Sequence, residues 1–125
     1  MDWALGLHDA GRIIFGAFFL IAGIRNFRRF GERRAGPTNY GWHLPSAVMG
    51  AGFALQVLAG AALVLAVWTV WASVGLILFL VAATALFHNP LCFPKGQRDL
   101  HIYLVLVNIT LVGGLMMVMA PAVAG

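Results

Sequence analysis

Charge is what this sequence has least of. Of its 125 residues only 10% are charged while 62% are hydrophobic, and the mean hydropathy is +0.91. A soluble domain carries roughly a quarter of its residues as Asp, Glu, Lys and Arg. A chain of 13.4 kDa cannot hide this much apolar surface inside a globule, so its solvent is expected to be lipid. The single cysteine, Cys92, excludes an intramolecular disulfide and provides no thiolate cluster for a metal. The four acids, Asp2, Asp9, Glu32 and Asp99, all avoid the centres of the apolar runs, which argues against a proton-pumping or ion-coupled transporter. A nucleophile–base–acid set, a Gly-rich phosphate cradle and paired carboxylates are all missing from the sequence. The opening "MDWALGLHDAGR" has acids where a signal peptide has a basic region, and no small-residue cleavage pattern follows it. The first helix is therefore expected to stay in the mature protein.

What remains is four apolar stretches. A hydrocarbon core of ~30 Å needs about 20 residues of helix. The spacing predicts spans over residues 10–27, 46–67, 72–88 and 100–119, with Pro45 in a first turn and Pro121 after the last span. From Ser46 to Phe87 a single helix would be roughly 60 Å long, twice the membrane thickness, so the chain must fold back. Trp68 and Trp71 mark that turn, since tryptophan favours the interface. The expectation is an all-α integral membrane protein, one domain over 1–125 forming a four-helix bundle.

The basic residues suggest a topology. Arg25, Arg28, Arg29, Arg33, Arg34, Lys95 and Arg98 fall in or beside the 1–2 and 3–4 connections, against Arg12 alone near the N-terminus. By the positive-inside rule these two loops are cytoplasmic and both termini lie outside, in a bacterial or archaeal plasma membrane. Trp3, Trp42, Trp68 and Trp71 then all fall near an interface. The net charge of +4 is concentrated beside an apolar run, which suits an anionic lipid surface better than nucleic acid. Gly16 and Gly23 on the first helix, and Gly52 and Gly60 on the second, are spaced for close helix packing.

Polar groups within the spans are the candidate site residues. Arg12 either reaches out to the interface, pairs with Asp9, or points inward as a cation for an anion or a quinone. Gln56 and Asn108 lie at similar depths, ~15 and ~11 Å from their basic ends, so an interhelical hydrogen bond between them is expected, with a ligand role, such as holding a quinone, as the alternative. Thr84 and His88 share a helix face, and His101 opens the next span after about twelve residues at a depth like that of His88. With Cys92 the two histidines make a poor metal or haem set, since no third close ligand or carboxylate accompanies them. They could instead hydrogen-bond a quinone head group, whose two carbonyls suit imidazole and amide donors, or simply cap a turn.

Three stretches carry a resemblance. "GRIIFGAFFLIAGIRNF" is similar to the first helix of the DoxX family, "FALQVLAGAALVLAVWT" to its second, and "ATALFHNP" to the Thr–Phe–His ending of its third. The resemblance covers most of the chain, about residues 11–119, and Arg12, Gly16, Phe19, Gly23, Arg25, Gly60, Thr84 and His88 match the pattern. The resemblance implies four membrane helices and, in some members, association with quinone-dependent oxidoreductase complexes. Gln56 departs from it, because the family usually has glutamate on that face; glutamine hydrogen-bonds but cannot exchange a proton. What it implies here is a small subunit of a quinone-linked electron-transfer complex, not catalytic alone. Expected partners are lipid and other membrane subunits, or further copies of the chain. The alternatives are an architectural subunit filling a photosynthetic or respiratory assembly and, more remotely, a small transporter.

Overall fold

The computed structural model describes residues 2–124, and every regular element among them is helical. In chain order these are α1 (Trp3–Arg28), α2 (Phe30–Ala35), α3 (Ser46–Leu65), α4 (Thr69–Phe87), a 3₁₀ turn (Pro90–Cys92) and α5 (Lys95–Ala124). Four helices, α1, α3, α4 and α5, are long and apolar enough to cross a membrane. At most a third of any one of these spans is buried within the protein, so their outward faces are large, apolar and suited to lipid.

The helices differ from the sequence expectations mainly at their ends. α1 begins at Trp3 rather than near residue 10, because the Asp2 carboxylate accepts from the backbone N–H groups of Ala4 and Leu5. The fold-back between α3 and α4 lies at Ala66–Trp68, leaving Trp71 inside α4. Neither glycine nor proline makes this turn: Ala66 (φ 59°) and Trp68 (φ 47°) adopt the left-handed conformation. α5 starts at Lys95 and includes Pro121, where the sequence suggested a start at 100 and an end before the proline. Pro121 denies Met117 its helical donor, and near a helix end this lost bond is tolerated. The connection between α4 and α5 is accordingly compact. The Asn89 side chain caps the 3₁₀ turn, and the Arg98 guanidinium donates to the carbonyls of Pro90 and Phe93.

Packing follows the small residues. α1 lies against α3, which pairs with α4, which in turn packs on α5; α1 and α5 touch only lightly. The α1–α3 contact is nearly backbone on backbone. A Cβ on Gly60 would sit 2.5 Å from the Leu20 nitrogen, and one on Gly16 would sit 2.7 Å from the Gly60 oxygen. Gly23 meets Val57 and Gln56 in the same way, and Gly52 gives room to the Phe79 ring. Such approach is how helices associate where burying leucine gains nothing over lipid. Phe19, Leu63, Leu76 and Leu115 fill the shared core, one from each long helix.

This contact makes a prediction. Gly60→Ala should lower the detergent-solubilised protein's stability by about 1–3 kcal/mol through overpacking. Gly113→Ala, whose Cβ would meet nothing within 4 Å, should leave it unchanged or slightly raised. Thermal unfolding followed by circular dichroism separates the two.

Candidate functional site

The buried face of α1 repeats in steps of four and three: Arg12, Gly16, Phe19, Gly23 and, next in register, half-buried Asn26. The glycines hold the middle of this stripe against α3, so the polar residues at its two ends also meet α3. At one end Arg12, 8% exposed, donates through one guanidinium nitrogen to the carbonyls of Leu63 and Val64. These are among the last carbonyls of α3, at the negative end of its dipole; Leu63 also accepts from the Ala66 N–H at 3.3 Å, so Arg12 adds to the cap there. The second nitrogen pairs with Asp9 at 3.4 Å. Beside it the His8 Nε2–H donates to the Val118 carbonyl of α5, so this polar cluster ties three helices together. Of the roles open to Arg12 from the sequence, the Asp9 pair is formed, joined by an α3 cap that the sequence did not suggest.

At the other end Asn26 Nδ2 donates to Gln56 Oε1 at 2.8 Å, and Arg33 Nε, from α2, donates to Asn26 Oδ1 at 3.2 Å. Gln56 therefore pairs across to α1, whereas the sequence suggested Asn108. Asn108 turns to α4, its Nδ2 lying 2.8 Å from Thr84 Oγ1. The depths of Gln56 and Asn108 were readable in the sequence; which way each faces around its helix axis decides the partner.

Between these two polar pairs lies a cavity of about 740 Å³, whose lining at the arginine-bearing end includes Arg33, Gly36 and Pro37. Its walls are mostly apolar, with Phe18, Phe53, Phe79 and Phe87 prominent, and polar groups enter from two sides. Asn26 and Gln56 come from α1 and α3, Glu32 and Arg33 from α2, and Asn108 and His88 from α5 and the end of α4. A space of this size is ample for a drug-sized ligand, and a few convergent polar groups in an apolar lining are typical of binding cavities. Thr84 and His101 stand behind this wall, each bonded to a residue that faces the cavity. Arg12 is absent from the lining.

The compact α4–α5 connection places the two imidazoles side by side, with Nδ1 of His88 and Nδ1 of His101 3.2 Å apart. One of the two nitrogens must carry a proton and the other a lone pair. His101 also stacks on the Phe93 ring, with centroids 3.5 Å apart and planes 11° from parallel. Above them the segment between α2 and α3 is fastened to the end of α4. The Asn39 N–H donates to the Leu86 carbonyl and the Tyr40 hydroxyl to that of Ala85. No group of three or more metal-ligating side chains occurs among the described residues. Asn26, Arg33 and Tyr40 were missed as site residues. Asn26 alone had a signal, its place in the 12–16–19–23 stripe, and it was masked by the arginines around it.

A four-span helical membrane protein with a ligand-sized cavity between its helices is the class that this architecture defines. The sequence matches the DoxX family model over residues 7–89, so the chain belongs to the DoxX family. The match takes in α1 to α4 and ends just past His88, short of the sequence resemblance to about residue 119; His101 and Asn108 lie outside it. Comparison with curated proteins and with solved structures gave no match.

Arg12 and the cavity predict different behaviour on mutation. Arg12→Gln removes the guanidinium donor shared by the Leu63 and Val64 carbonyls together with the Asp9 pair, and should cost about 1–3 kcal/mol of stability. Any ligand held in the cavity should bind that variant with unchanged affinity. Paired unfolding and binding measurements on the purified variant check both halves.

Proposed function

We propose that this DoxX-family protein is a small membrane subunit that binds a quinone on behalf of a larger electron-transfer complex and performs no catalysis alone. The observation that carries the proposal is the cavity of about 740 Å³ with amide and imidazole groups entering from opposite sides. A quinone ring is flat, apolar on its faces and polar only at two opposed carbonyls. The phenylalanines suit the faces, while Gln56 on one side and His88 or Asn108 on the other suit the carbonyls. The isoprenoid tail would leave between helices into lipid. A subunit that only filled space in an assembly would have little use for a buried amide facing an open cavity, which favours the binding reading over the architectural one.

In this reading the arginine-bearing end faces the cytoplasm of a bacterial or archaeal cell. The partner subunits pack on the broad apolar faces of the long helices. His88 and His101 together form the one pair near the cavity able to take up or release a proton. Gln56 cannot do so, which leaves proton exchange, where it occurs, to these histidines, to the Glu32 carboxylate in the lining, or to a partner.

Purification in mild detergent tests the proposal. Extracts of the tagged chain should contain quinone in near-stoichiometric amount, together with co-eluting membrane subunits. Ala83→Phe, which fills the cavity from α4, should reduce the quinone at least tenfold while the protein remains folded. A chain that elutes free of quinone and as a homo-oligomer only would overturn the proposal.

A further inference from the structure

The hydrogen bonds behind Gln56 have a direction, and the direction is imposed from one end. A guanidinium can only donate, so Arg33 Nε, 3.2 Å away, requires the oxygen of the Asn26 amide to face it. The Asn26 nitrogen is thereby turned towards α3, where it donates to Gln56 Oε1 at 2.8 Å. The Gln56 amide is fixed in its turn, with Nε2 as its remaining polar atom. Gln56 is only 5% exposed and lines the cavity, and among the described residues nothing accepts from its Nε2. Each link polarises the next, and the charge on Arg33 pushes the chain in the donating sense.

The opposite wall has no such anchor. Asn108 meets the Thr84 hydroxyl, and His88 meets His101; a hydroxyl or an imidazole can each donate or accept. One side of the cavity is therefore a fixed donor and the other adapts to what it meets.

We infer that the Arg33–Asn26–Gln56 chain is a polarity filter: it presents Gln56 Nε2–H to the ligand and selects a head group with a carbonyl-type acceptor over its hydroxyl counterpart. Resting on the quinone reading above, this makes the oxidised quinone the favoured occupant and the quinol the disfavoured one. A hydroxyl placed on Gln56 must find another acceptor for its own proton: the Asn26 and Gln56 amide oxygens each already accept one bond, and the one carboxylate in the lining, Glu32, belongs to α2 beside Arg33. Arg33 is a positioning residue, exposed and acting through Asn26.

The test uses the full chain in lipid nanodiscs and equilibrium dialysis against decyl-benzoquinone or, without oxygen, its quinol, with empty discs subtracted. The wild type should bind the quinone about tenfold more tightly, the effect of one unsatisfied buried group. Arg33→Lys keeps an obligate donor and should preserve the preference. Arg33→Gln lets both amides reverse and should bring the two affinities within about twofold of each other, with the quinol gaining. Gln56→Met should lose the preference by weakening the quinone. Equal binding of both forms by the wild type, or a preference that survives Arg33→Gln, would overturn the filter while leaving the cavity a quinone site. Absence of saturable binding of either form would overturn the filter and the quinone reading together.

Discussion

The contact between α1 and α3 at Gly16 and Gly60 is the constraint on which the rest of the molecule depends. In lipid, apolar side chains gain little by meeting one another, so close association must come from packing and from polar contacts. The glycines provide the packing, and by setting the helix separation they also determine which polar contacts can form. One turn beyond Gly16, Arg12 reaches the end of α3; one turn beyond Gly23, Asn26 reaches Gln56. The same stripe thus builds a structural anchor at one end and the wall of a cavity at the other.

A second constraint shapes the ends of the helices. Where water is scarce, carbonyls left over at a helix C-terminus need donors from elsewhere in the protein. Arg12 serves α3 and Asn39 with Tyr40 serves α4, while His8 ties α1 to the Val118 carbonyl of α5. These caps fasten each end of the bundle and hold the segment between α2 and α3 against the cavity. Fold and site are connected through them, since the fastened segment places Pro37 and Leu44 in the cavity lining.

The sequence displayed the parts whose physics is one-dimensional. Apolar run lengths revealed four membrane helices, and the spacing of small residues picked out the glycines that pack. Depth along each helix was also readable, which is why Gln56, Asn108, Thr84 and His88 stood out. Rotation about the axis was not, so Gln56 was matched with Asn108 when its partner is Asn26. The closeness of His88 and His101 depended on the folding of the connection between them. Arg98 holds that connection compact by capping two of its carbonyls, a role that spacing alone does not reveal. Pro121 misled because a helix in its last turns can lose a hydrogen bond at little cost.

Under the proposed function, a quinone would meet this DoxX-family protein in the cavity between helices and not at the lipid-facing surface. The most direct measurement is photolabelling of the purified protein in nanodiscs with a quinone carrying an azide on its ring, followed by mass spectrometry of the labelled peptides. The account predicts adducts on cavity residues such as Phe53, Gln56, Phe79 and Phe87, competed away by unlabelled quinone. Adducts spread over outward-facing positions such as Leu58, Leu78 and Leu106, matching those from a plain hydrocarbon azide, would contradict it.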